Sequence, residues 1–208
     1  MDTYNELKKH FEASRNFTVP DTCYLALILY EEEERMRTLD LSSEKISFAK
    51  NCPVITRTAI KGITMKNGRV LLLKTAKGDY KFPGGGQESG ENDYQTLLRE
   101  YGEEVGKKIH KMGELLYVVT ELSRDKFNPS CYFQMISRYY LCSVENENVE
   151  RNLDYYEREL DMTPVFVDVN VAIRANINCI DTNVWTKREM YVLKELENDL
   201  RNGIVDSM

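Results

Sequence analysis

Residues 81–107 read KFPGGGQESGENDYQTLLREYGEEVGK, and this stretch decides how the chain is read. Pro83 and the glycines Gly84, Gly85 and Gly86 form an entrance loop, and a helical pattern follows from about Asp93 to Val105. Tyr94, Leu97, Leu98, Tyr101 and Val105 fall on one side at 3.6 residues per turn, the expected apolar stripe. Asn92 or Asp93 is placed to cap the start, and Gly106 to close the end.

Glu100, Glu103 and Glu104 stand at i, i+3 and i+4 and are neighbours on another face of that helix. Carboxylates crowded in this way repel one another. A divalent hard cation relieves the repulsion, and magnesium is commonly held by a few carboxylates together with substrate phosphates. Glycines before the helix let the backbone approach a ligand closely, because no Cβ intervenes. A lone EYGEE is more simply a solvated acidic face. Seven fixed positions, Gly85, Glu91, Arg99, Glu100, Glu103, Glu104 and Gly106, change that balance. From average usage they coincide by chance at roughly 10⁻⁸ to 10⁻⁹ per starting point.

The spacing resembles the Nudix box, the signature of the Nudix hydrolases: G, five spacers, E, seven spacers, R-E, an apolar residue, a spacer, E-E, a spacer, G and an apolar residue. Every glycine and charged position matches. Tyr101 is an aromatic where an aliphatic residue is usual, and Lys107 replaces the last apolar residue. Both are packing positions. The resemblance implies an α/β Nudix fold, a mixed β-sheet sandwiched between helices. It implies a metal-dependent hydrolase, using Mg2+ or Mn2+, that cleaves a pyrophosphate bond in a nucleoside diphosphate linked to another moiety. It assigns Glu100, Glu103, Glu104 and the Gly85 carbonyl to the metal, Arg99 to orienting Glu100, and Glu91 to supporting the site from the loop. For the general base it leaves open a box glutamate or one from a later loop; Glu121, Glu157 and Glu159 lie near expected strand ends, with Glu157 and Glu159 preferred. Lys81 is a weaker candidate for a phosphate contact. The alternative is a non-catalytic Nudix-fold module that senses a nucleotide; such a module is free to lose box glutamates, and none is lost.

The 208 residues suit one domain with an extension, expected as a helical segment over 1–50 before a Nudix domain over 51–208. In the extension, Thr3 and Glu6 have capping-box spacing, a second helix is expected from Pro20 to about Arg37, within which the apolar run Cys23–Tyr30 reads equally as a buried helix or a strand, and a third over Ser42–Ala49. The extension reads equally as a packing flange, a homodimer contact or a substrate-selecting segment. Net charge −6 and a mean hydropathy of −0.50 argue for a soluble protein and against a stable nucleic-acid complex. The expected partner is a small nucleotide-derived molecule. Five scattered cysteines suggest free thiols in a cytoplasmic setting, and no apolar run is long enough to span a membrane.

Beyond the box, Ile60–Met65 and Val70–Leu73 read as a hairpin on Asn67-Gly68. Strands are expected at Leu115–Leu122, Cys131–Val144 and Pro164–Val167, with a polar surface loop over Glu145–Asn152. A short helix is expected at Val169–Asn176. A last one, from Thr186 to about Leu200, is to open on a Thr186/Glu189 capping box.

Overall fold

In a computed structural model, residues 36–41, 53–128, 130–180 and 185–205 are described. The first two expected helices up to residue 35, the third over Ser42–Ala49, Cys23 and Cys52 lie outside them.

The elements in order are β1 (Arg37–Asp40), β2 (Val54–Ile63), β3 (Met65–Lys66), β4 (Arg69–Lys74), β5 (Tyr80–Lys81), β6 (Gly84–Gly86), α1 (Asp93–Glu100) continuing into a π-helical turn (Tyr101–Val105), β7 (Lys107–Arg124), β8 (Tyr132–Asn148), α2 (Tyr155–Glu159), β9 (Thr163–Val167), α3 (Val169–Asn178) and α4 (Thr186–Arg201). A five-stranded mixed sheet has the order β1-β7-β8-β2-β6, with β2 parallel to β8 and β1 parallel to β7. A smaller antiparallel sheet centres on β4, which pairs with β3, β5 and β9. The chain passes from one sheet to the other at Thr64. It then turns at Asn67 (φ 52°) and Gly68 (φ 72°), the left-handed pair that an Asn-Gly hairpin requires.

Alternation along the strands divides the core in two. One cluster, with Tyr117, Val119, Tyr139, Val192, Leu193 and Leu196, joins the large sheet to α3 and α4. The other, with Ile60, Leu97, Tyr101, Val105 and Cys142, lies under α1. The mixed sheet between helices is therefore present.

Several expectations are corrected. Arg37–Asp40 is not the end of a helix. It is an edge strand of the large sheet, tied to α4 by Arg37 to Glu195 at 2.6 Å. β8 runs on to Asn148, because its partner β7 begins at Lys107 and pairs with it there, so only residues 149–152 of the stretch expected as a loop lie outside the strand. The Thr186/Glu189 capping box is not made: Thr186 Oγ1 donates to Asp79 at 3.0 Å, and Glu189 accepts from the Phe82 amide at 3.0 Å. Both side chains are fully buried and serve the entrance loop instead. On α1, Leu97, Tyr101 and Val105 are buried, while Tyr94 and Leu98 are 44% and 37% exposed.

Candidate active site

The start of α1 is fixed by Asn92, whose side chain accepts from Gln95 N while the Asn92 amide donates to Gln95 Oε1. Asp93 ties this end to β8, accepting from Tyr140 at 2.6 Å and pairing with Arg138 at 3.0 Å. At Tyr101 the helix widens into a π turn, closed by the Gly106 amide bonding to Tyr101 O, with Gly106 at φ 72°. The unusual aromatic has a specific berth. Its ring lies where any side chain at residue 62 would be, and its hydroxyl meets Thr64 Oγ1 at 3.0 Å and Cys142 Sγ at 3.3 Å. Gly62 is what makes Tyr101 fit. Lys107, the other departure, opens β7 and bonds Asn146 O at 2.6 Å.

Arg99 is the hub of the box. Its Nε and Nη2 grip Glu91 at 2.8 and 3.0 Å, Nη2 also donates to Gly86 O at 3.1 Å, and Nη1 holds Glu100 at 2.8 Å and Glu103 at 3.2 Å. Glu91 also accepts from the Glu88 amide and from Thr96. Arg99 first, and then the Glu88 amide, bring its carboxyl down to about 2. One guanidinium thus joins the loop, the glycine strand and the helix.

Glu100, Glu104 and Glu157 offer oxygens that all lie within 4.8 Å of one another. Glu100 lies directly on Gly85, where a methyl group would collide with its carboxylate. Glu104 is fully buried: Oε1 takes the Lys81 ammonium at 2.6 Å and Oε2 the Gly84 amide at 2.6 Å. Burial and then Glu104 push the Glu100 carboxyl up. Burial and a hydrogen bond with Glu104 push Glu157 up to about 7. For Glu104 itself burial is outweighed by Lys81, then Lys61 and the bonds from Glu157 and Gly84, so its pKa falls. Two of three crowded carboxyls resist ionisation, which a hard divalent cation relieves. The donor set suits such an ion.

Of the residues expected from sequence, the structure brings together Gly85, Glu91, Arg99, Glu100 and Glu104. Glu103 points to Arg99 instead, with its side chain 37% exposed. Among the candidate bases only Glu157 joins the cluster. Glu121 is paired with Arg188 at 2.5 Å, and Glu159 is exposed and bonded by Tyr155. Lys81 meets Glu104 and lies over the Trp185 ring at 5.9 Å. Lys61 was not expected: wholly buried on β2, it bonds Phe82 O at 3.4 Å and Gly84 O. A lysine inside the apolar run Ala59–Ile63 was the available signal.

A family model described as the NUDIX domain matches residues 55–178. Among solved structures, the chain resembles an ADP-ribose pyrophosphatase from Streptococcus suis (15% identity, TM-score 0.41, 55% of this chain and 75% of that one). It also resembles a MutT NUDIX hydrolase from Burkholderia pseudomallei (22%, 0.41, 56% and 85%) and a MutT protein from Bacillus halodurans (21%, 0.43, 57% and 72%). No curated protein matches. Among the described residues no helix is long and apolar enough to cross a membrane.

Proposed function

Since the chain belongs to the NUDIX domain family, we propose that it is a metal-dependent hydrolase of a pyrophosphate bond in a nucleoside diphosphate linked to another moiety. The observation that carries this reading is the convergence of Glu100, Glu104 and Glu157 beside the Gly84–Gly86 strand.

In this reading Glu100, Glu103, Glu104 and the Gly85 carbonyl would hold Mg2+ or Mn2+; the Glu103 carboxylate meets Arg99 at 3.2 Å. When bound, the ion neutralises phosphate charge and acidifies water. Arg99, braced by Glu91, keeps Glu100 from rotating. Lys81 and the Gly84 amide fix Glu104 in one orientation. The substrate's two phosphates lie beside the Gly84–Gly86 strand, which the Glu100 carboxylate and the Arg57 guanidinium flank. A water oxygen bonds to phosphorus as the bridging P–O bond breaks, and the departing phosphate leaves with that electron pair. Glu157 is assigned the water's proton. It comes from a separate element, α2, whose Asp154 cap holds it by the Glu157 amide at 2.7 Å, and its carboxyl faces Glu104.

The test is turnover of a panel of nucleoside-diphosphate-linked compounds with magnesium, with manganese and with chelator. Metal-dependent release of a nucleoside monophosphate supports the reading. Silence on the panel, with one nucleotide still raising the melting temperature, supports a nucleotide sensor instead.

A further inference from the structure

Arg57 links the glycine strand to a second feature. Its guanidinium lies against Gly86, where a methyl group would be 2.5 Å from Nη2. On β2 it stands opposite Met135 of β8, and Met135 stands opposite Glu121 of β7, so the three form one row across the sheet. Over this row, on the face that carries the first turn of α4, a cavity of about 500 Å³ opens. Phe133 and Met135 line it from the sheet, Phe127 from the loop after β7, and Arg57, Lys126 and Lys187 from its edges. The size is that of a small-molecule site.

The charges in this cavity do not cancel. Its two acids are already engaged: Glu121 holds Arg188 at 2.5 Å, and Asp125 Oδ1 accepts from the amides of Phe127 and Asn128 at 2.9 and 2.7 Å. Arg124 lies over the Tyr132 ring. Arg57, Lys126 and Lys187 have no carboxylate within ion-pair distance among the described residues, in a chain of net charge −6. Three uncompensated cations around one concavity attract an anion. Phe127 is 96% exposed. Together with Phe133 it presents aromatic surface of the kind on which a planar ring stacks. The cavity therefore fits a ring that carries negative charge.

We propose that this cavity takes the part of the substrate beyond the scissile pyrophosphate, and that this part is a nucleoside bearing a phosphate ester of its own. The proposal rests on the hydrolase reading for the position of the pyrophosphate. Arg57 spans the junction, Phe127 and Phe133 face the base, and Lys126 and Lys187 receive the additional phosphate. In that reading the pyrophosphate lies at the glycine strand, its charge met by the cation that Glu100 and Glu104 would hold, so Lys126 and Lys187 are left for a further anionic group.

The test is calorimetric binding of the four nucleoside 3′,5′-bisphosphates and the matching 5′-monophosphates to the full chain, in chelator. At least one bisphosphate is expected to bind about tenfold more tightly than its monophosphate. The double variant Lys126→Gln/Lys187→Gln removes that difference. Phe127→Ala weakens both ligands alike. Equal affinities, no binding of any bisphosphate at millimolar concentration, or a preference that survives the double variant overturns the proposal. Turnover is not read, so loss of the hydrolase reading and loss of this one are separate results.

Discussion

The Lys81 ammonium lies 2.6 Å from Glu104 Oε1; the Glu104 side chain is 1% exposed and that of Lys81 12%. This is the only ion pair Glu104 makes among the described residues, and it raises the pKa of Lys81 against the burial that lowers it. Breaking a buried pair by removing one partner costs about 3–5 kcal/mol, because the other charge is left uncompensated. Lys81→Met is therefore expected to lose about that much stability without metal. Manganese should restore more of it than manganese adds to the wild type, since the cation takes over the compensation of Glu104. Chemical denaturation with and without metal checks this, and an equal loss in both conditions contradicts it.

Gly62 and Tyr101 fit only as a pair. Gly62→Ala forces a methyl group into the phenol ring, and overpacking of this kind costs about 1–3 kcal/mol. Tyr101→Leu vacates that space, so the double variant should lose less than the two single variants summed. A double-mutant cycle measures the coupling, and strict additivity contradicts the assigned contact.

Lys61 predicts a pH signature. Burial first, and then Lys81, brings its folded pKa down to about 8, against about 10.4 in an unfolded chain. Below pH 8 both states are protonated and the cost of burying the charge is fully present. Between about 8 and 10.4 the folded chain has released a proton that the unfolded chain keeps, so stability rises with pH, by about 3 kcal/mol at most. Above that range the term is constant. Relative to Lys61→Met, the wild type should thus gain stability between pH 7 and 10 in denaturant titrations. A gap that is flat or closes the other way counts against the buried charge.

The box was legible because its residues interact over short separations in sequence. Arg99 reaches Glu91, Glu100 and Glu103 from within one helix and its leading loop, so spacing alone carries the geometry. The Asn67-Gly68 hairpin was legible for the same reason. What depended on distant partners was not. Glu189 has capping spacing, yet Phe82, Tyr139 and Arg188 claim its carboxylate. Tyr94 matches the apolar stripe of α1, yet it is 44% exposed. The continuation of β8 past Val144 follows from where β7 begins, which no local pattern records. Glu157 stood among three candidate bases, and only the placement of α2 against Glu104 separates it from Glu159. Arg57 looks like one more polar residue on a strand until Gly86 is seen beside it.

The central claim is that Glu104 serves a catalytic cation and not merely the Lys81 ion pair. The most direct measurement is product release by Glu104→Gln beside wild type, on the compound that wild type turns over best, at saturating magnesium. Circular dichroism and melting curves of both proteins verify the fold. The substitution removes a charge and a ligand with almost no change in volume; it also strands the Lys81 ammonium, so the melting temperature is expected to fall, and turnover measured below it to fall by about 10²-fold or more with the fold retained. Near-normal turnover in a folded, magnesium-saturated variant would contradict the account.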